Sequence, residues 1–269
     1  MPLARQHSRI AALVAPAYLW LTLTIFLPLA AMLFLSFLSA VPVGGREAHF
    51  TLQHYAAFFT KKIYWYNAVR SLELAAYVTL ACVAFGYPAA LVLSRMIAGR
   101  AREAIFLMII LPFWSNALVR TFSWTMVLRG PFDIIYTYPA IVLGLVHAYL
   151  PYAILTIYVS LQAIDGRLME AASSLGATRL QVFGRVVFPL SLPGVLAGVF
   201  LIFVPVTGSF MEPRILGGKD AIMLGPIIEN QFTVTFNWPL GAALSFVMLA
   251  IILLILAIGY PFLRPHLAR

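Results

Sequence analysis

The sequence predicts an all-α integral membrane protein with six transmembrane helices, and three observations carry that reading. Hydrophobic residues make up 62% of the 269 residues and charged residues only 10%, where a soluble domain carries about 25% charged residues. Six apolar runs are each long enough to cross a bilayer core, which takes about 20 residues. The charges fall between those runs. A formal net charge of +9 is spread over connecting segments with no basic stripe, so membrane topology accounts for it and no nucleic-acid partner is expected.

The first run, residues 10–38, follows a basic start from Arg5 to Arg9. It exceeds the roughly 7–15 residues of a signal-peptide core, so it is expected to remain as a span. Residues 40–67 break the apolar pattern, with Pro42, Gly44 and Gly45 at the start and a short surface helix expected from about Phe50 to Phe59. The second run covers 68–93 and holds the lone cysteine, Cys82, which can form no disulfide within the chain and is expected to pack inertly. The third run, 104–128, contains Leu111-Pro112-Phe113-Trp114-Ser115-Asn116, where small polar groups beside Pro112 mark a hinge. The fourth covers 138–161, the fifth 190–211 and the sixth 240–263. Between the last two, residues 212–238 carry Gly217, Gly218, Gly225 and Pro226, and their apolar pieces are too short to span. Prolines 16, 28, 88, 151, 193 and 205 also fall inside runs; a membrane bundle tolerates such kinks where neighbours satisfy the freed carbonyls. No repeat or linker divides the chain, so one membrane domain spanning 1–269 is expected.

With both termini inside, ten basic residues (Arg5, Arg9, Arg95, Arg100, Arg102, Arg167, Arg179, Arg185, Arg264 and Arg269) are cytoplasmic. Seven are outside: Arg46, Lys61, Lys62, Arg70, Arg129, Arg214 and Lys219. The excess has the sign that short cytoplasmic loops require, and it places residues 163–189 in the cytoplasm.

That segment is the most structured polar stretch of the chain. Asp165 is a candidate N-cap for a helix carrying Met169, Ala171, Ala172 and Leu175, and Gly176 sits where a helix ends in the left-handed region. Thr178 with Gln181 three residues on forms a capping box that restarts a helix, on which Leu180, Phe183 and Val187 are expected to share a face. A helical corner with an apolar stripe, held between two spans, is a docking knob.

The spaced set Glu170-Ala171-Ala172, Gly176, Val186, Phe188 and Pro189 resembles the EAA loop of membrane subunits from bacterial binding-protein-dependent ABC importers. Val186 and Phe188 stand where that family usually has isoleucine and leucine, and both keep the position apolar. Other segments resemble the spermidine/putrescine-type permeases: Leu111-Pro112-Phe113-Trp114, Leu118-Val119-Arg120-Thr121, Leu150-Pro151-Tyr152 and Asn237-Trp238-Pro239-Leu240-Gly241. The connection from Arg129 to Tyr138 is shorter than that subfamily leads one to expect.

The resemblance implies a type I ABC importer permease fold with a cytoplasmic coupling loop, in the bacterial inner membrane. It implies an ATPase dimer docked on Glu170, Ala171, Ala172, Gly176, Leu180, Phe183, Val186 and Pro189. It also implies a second, non-identical permease subunit and a periplasmic solute-binding protein. The solute it implies is a small organic cation of polyamine type; opines, amino-acid derivatives, thiamine and iron are carried by related permeases. The chain has no phosphate-binding G-x-x-x-x-G-K-[ST] loop, no zinc spacing and no nucleophile elbow. No catalytic residue, metal ligand or cofactor is therefore expected in this chain, and ATP and magnesium belong to the partner ATPase.

Polar residues at membrane depth are expensive and are functional candidates by default. Glu73 either lines the pathway or pairs with Arg70 one turn away. Arg120 either snorkels outward or pairs with Glu73 or Glu212. Trp114, Trp124, Tyr149 and Phe210 offer faces for a cation, against the alternative of interfacial belts. His147 is expected to be a satisfied packing residue. An ion-coupled secondary transporter would need a midplane relay and related halves, and no internal symmetry is visible. The topology is tested by reporters: one fused after Arg269 should behave as cytoplasmic and one inserted at Gly45 as periplasmic, and the opposite result at either site overturns the orientation.

Overall fold

The computed structural model describes residues 2–41, 47–130 and 133–267, so Pro42, Gly44 and Gly45 lie outside the described residues. Backbone polar groups in a bilayer must be satisfied within their own segment, which makes helices the solution for these apolar runs. Five helices are long and apolar enough to cross a membrane, and a bent helix pair makes a sixth crossing if counted as one. The chain divides into two units, residues 1–64 with 228–250 and residues 65–227 with 251–269.

In the first unit α1 (Pro2–Ser36) runs through Pro16 and Pro28 without a break. From Val14 onward most of its apolar side chains, Trp20 and Phe26 among them, are exposed, as expected for a helix that faces lipid or another subunit. A single antiparallel bridge joins Leu38 to Phe50, and the short helix expected there is α2 (Gln53–Thr60). Two side chains tie α2 back to the end of α1. Tyr55 shares a 2.7 Å hydrogen bond with the Ser36 hydroxyl, and His54 Nε2 lies 3.1 Å from the Leu38 carbonyl oxygen. Burial pushes the His54 imidazole below its ordinary pKa, so it stays neutral with Nε2–H as the donor.

The second unit is built on three long helices: α3 (Lys62–Arg95), α6 (Tyr138–Gln162) and α9 (Phe188–Thr207). Between them lie α4 (Gly99–Ile110), α5 (Ala117–Arg129), α7 (Gly166–Ser174) and α8 (Arg179–Val182). The core is mainly apolar, with Leu74, Val78 and Cys82 from α3, Ile141, Leu145 and Ile157 from α6, and Val195, Ile202 and Val206 from α9. Cys82 is buried there, as expected of a packing residue.

Helices in a membrane gain little from burying one apolar surface against another, so close approach at small residues sets their packing. Gly194 and Gly198, four apart on α9, face Thr156 and Ser160, four apart on α6. A Cβ at Gly198 would lie 2.7 Å from Thr156 Oγ1, and one at Gly194 would collide with Ser160 Cβ. Polar links reinforce the seam. Ser160 Oγ donates to the Ser191 carbonyl at 3.3 Å, and Tyr87 on α3 shares a 2.8 Å bond with the Ser191 hydroxyl.

Several boundaries differ from expectation. The third run is not one helix: α4 continues into a 3-10 turn (Leu111–Trp114), and α5 then leaves at 99° to it. Pro112 opens the tight turn, while Asn116 starts α5 by accepting the Leu118 N–H at 2.8 Å, an N-cap that stabilises a new helix by about 1 kcal/mol. The fifth run does not begin at residue 190, because α8, a π-helical turn (Phe183–Val187) and α9 form one continuous helix, Arg179–Thr207. Pro189 explains the widened turn: it lacks an N–H, and its ring presses on the carbonyl four residues earlier. The helix also ends at Thr207 rather than 211, and α10 (Met211–Leu216), a 3-10 turn (Gly218–Ala221) and α11 (Leu224–Thr233) follow. These are short pieces, as expected for a segment that does not span. The last helix, α12 (Trp238–Leu267), outruns the expected 240–263.

Asp220 gives this connection a structural role. Its Oδ2 accepts the Tyr138 N–H at 3.2 Å and so caps α6 from a remote segment, where the local N-cap residue Thr137 makes no side-chain cap. The seam is tested by Gly194→Leu, which meets Ser160 Cβ and the Thr156 carbonyl, and Gly198→Leu, which meets the Thr156 hydroxyl bonded within α6; each should cost more than about 2 kcal/mol. Gly184, with nothing within 4 Å of its added Cβ, is the control: Gly184→Ala should match wild type in membrane yield and thermal unfolding, and wild-type values for the seam variants would refute the packing argument.

Candidate functional site

Two features combine exposure with chemistry, a helical corner and a cavity, both in the second unit. The corner forms as its residues dictate. Asp165 caps α7 by accepting the Arg167 N–H at 2.9 Å. Gly176, at φ +83°, ends it in the left-handed region. Ala177 N–H reaches back to the Ala172 carbonyl at 3.1 Å and Gly176 N–H to that of Ser173 at 3.0 Å, the pair of bonds that closes a glycine-ended helix. Thr178 and Gln181 then form the capping box that starts α8, with bonds of 2.9 and 3.4 Å.

The apolar stripe expected on α8 splits between two sides. Leu180 is 80% exposed and Leu175 89% exposed, and Glu170 and Ala171 are exposed beside them. Phe183 turns inward: its ring meets Tyr87 edge-on at 5.8 Å, and Val182 and Val187 are buried with it. Phe183, expected on the docking face, is therefore an anchor of the corner. Val186 lines a surface groove of about 330 Å³ together with Leu175, Gly176, Gln181 and Arg185, and Pro189 belongs to α9 behind it. Arg95, the last residue of α3, braces the approach by donating to the Leu161 and Ile164 carbonyls at 2.7 and 3.2 Å. A guanidinium there satisfies the free carbonyls at the end of α6 and complements its dipole.

The second feature is a cavity of about 290 Å³ at the break between α4 and α5. Its two charged groups are Arg120 of α5 and Glu212 of α10, and its aromatic wall is Phe113, Tyr149 and Tyr152. Tyr149 and Tyr152 sit three apart on α6, so they present one face. The Phe113 and Tyr152 rings meet edge-on at 4.5 Å, and the two tyrosine rings lie 5.8 Å apart. Arg120 Nη1 donates to the Pro112 carbonyl at 3.2 Å, where Ser115 Oγ also donates at 2.7 Å. Glu212 Oε2 accepts from Ser209 Oγ at 2.6 Å.

Of the residues singled out by sequence, Arg120, Tyr149 and Glu212 come together here, and four do not. Trp114 points away, 91% exposed. Trp124 is engaged with His147, donating from Nε1 to Nδ1 at 3.2 Å, which also satisfies that histidine. Phe210, 42% exposed, is not part of the lining. Glu73 is exposed on α3, and no ion pair joins it to Arg70 among the described residues, so the intrahelical pair, one of its two alternatives, does not form. Phe113 and Tyr152 were missed as site residues. The helical spacing from Tyr149 to Tyr152 was the available signal, and the sharp break that turns Phe113 rather than Trp114 inward had none.

This architecture has solved counterparts. The chain superposes with a TM-score of 0.73 on a subunit of a bacterial ABC transporter involved in the import of the acidic polysaccharide alginate, at 14% identity, covering 98% of this chain and 99% of that one. A further structure, of a bacterial alginate ABC transporter in complex with a pentasaccharide-bound periplasmic protein, gives 0.72 at 13% identity over 98% and 96% of the two chains. The fold is therefore that of the membrane permeases of ABC importers. The family model for the binding-protein-dependent transport system inner membrane component matches residues 83–269, and the chain belongs to that family. It is also 32% identical to the spermidine/putrescine transport system permease protein PotB of Escherichia coli (strain K12), across 89% of this chain and 92% of that one. The chain is a transport permease subunit of the inner membrane.

Proposed function

We propose that this chain is one of two permease subunits of an ATP-driven importer for a polyamine of the spermidine or putrescine type. The observation that carries the solute is the likeness, along nearly the whole chain, to permeases that bear that name. A periplasmic binding protein delivers the solute, a second permease subunit of different sequence completes the pathway, and an ATPase dimer in the cytoplasm supplies the energy. ATP and magnesium bind there, not to this chain. Both termini lie on the cytoplasmic side, the orientation that the distribution of arginines supports.

The corner formed by α7 and α8 is the surface on which the ATPase docks. Glu170, Ala171, Leu175 and Leu180 make the contact, and the groove beside Val186 receives a side chain from it. Force applied there reaches the span directly, because α8 and α9 are one helix. The cavity between Arg120 and Glu212 lies on the solute pathway. A carboxylate offsets the loss of water around an ammonium group, which otherwise costs several kcal/mol, and the aromatic rings give it faces to rest on.

Affinity purification of the tagged chain should bring an ATPase with it, and proteoliposomes holding the whole complex should take up spermidine or putrescine when the cognate binding protein and internal ATP are present. Failure of both overturns the assignment. At the corner, Gly176→Val forces a β-branched residue to positive φ, and Glu170→Lys reverses a surface charge. Either should lower solute-stimulated ATP hydrolysis several-fold at unchanged membrane yield, and wild-type stimulation in both would exclude this surface as the dock.

A further inference from the structure

We infer that the cavity at the break between α4 and α5 takes one ammonium group at a time, and that Arg120 is the specificity-determining residue that enforces this. The inference rests on the polyamine reading above and deepens it. The cavity holds one carboxylate, Glu212, and one guanidinium, Arg120, so its formal charge is zero before any solute enters. Its volume of about 290 Å³ is at the small end for ligand sites.

The two charged groups are held apart by neutral partners. Arg120 is tied through Nη1 to the Pro112 carbonyl, and Glu212 through Oε2 to the Ser209 hydroxyl. No ion pair joins them among the described residues, and Oε1 of Glu212 carries no hydrogen bond among the described residues. An arriving ammonium therefore finds a carboxylate oxygen with open lone pairs and three aromatic rings for its methylenes. A second ammonium in the same small space meets the guanidinium, and like charges repel more strongly the closer they are held. The polyamine then passes end-on, one charge after another.

Such a site also releases what it binds. A pathway must be favourable enough to enter and weak enough to leave. An unopposed carboxylate walled by aromatic rings would hold a polycation, and Arg120 removes that trap by keeping the cavity neutral.

The test uses the assembled importer with Arg120→Gln, Glu212→Gln and the double variant, each normalised to the amount of complex recovered. Equilibrium binding of radiolabelled putrescine and spermidine is measured on the complex without its binding protein, and uptake on the complete system in proteoliposomes. Arg120→Gln should bind both amines more tightly, spermidine by about tenfold, while its maximal uptake falls. Glu212→Gln leaves the guanidinium unopposed and should lose uptake, more for spermidine than for putrescine. The double variant should take up both faster than Glu212→Gln alone. An arginine that only pins the break predicts otherwise: binding no tighter in Arg120→Gln and a double variant no faster than Glu212→Gln, and that result overturns the inference. Should the Arg120 variants fail to assemble, equal losses for the two amines in Glu212→Gln would overturn it. If the wild-type complex ignores both amines but carries another solute with an ammonium group, the polyamine reading alone fails and the cycle is read with that solute. A solute without a cationic group overturns both.

Discussion

Close contact between α6 and α9 is the interaction on which the second unit depends. Gly194 and Gly198 remove the side chains that would hold the helices apart, and Thr156 and Ser160 fill the space. In lipid there is little else to bring two helices together, since apolar side chains are as well solvated by acyl chains as by each other. The seam also fixes the corner, because α6 leads into it and α9 leads out. The Tyr87 hydroxyl on Ser191 adds α3 to the same joint, and Arg95 closes the cytoplasmic end of α6.

The cavity is positioned by a different device. A polar break in an otherwise apolar run needs every freed carbonyl satisfied. Here the Pro112 carbonyl is served by both Ser115 and Arg120. The group that stabilises the bend is thus one of the two charges in the cavity, which couples the geometry of the break to the electrostatics of the site. Tyr149 and Tyr152 reach the same space from α6, and Glu212 from the first turn of α10.

Much of this was legible in sequence wherever a local rule decides the outcome. Run length predicted the spans, and the fourth, Tyr138–Gln162, agrees within a residue. Asp165, Gly176 and the Thr178–Gln181 box acted as caps because capping is settled within four residues. What escaped was non-local. Nothing in residues 104–128 states that the chain turns through 99°, and that turn decides whether Phe113 or Trp114 faces the cavity. The pairing of Arg70 with Glu73 failed because spacing alone does not supply the energy to hold two exposed side chains together. Asp220 as the cap of α6 was equally invisible, since donor and acceptor stand 82 residues apart.

The π-helical turn at Phe183–Val187 has a consequence for how this chain tolerates changes in length. A wide turn of this kind amounts to one residue inserted into an α-helix. Deleting one residue there, Gly184 for instance, would restore a regular helix without shortening the span. Because the wide turn takes up that extra residue within one turn, the deletion would leave α8 and α9 close to their present angular relation. Leu180 would keep its present bearing toward the span. The bulge is therefore a point at which the chain can gain or lose a single residue without turning the corner against the span.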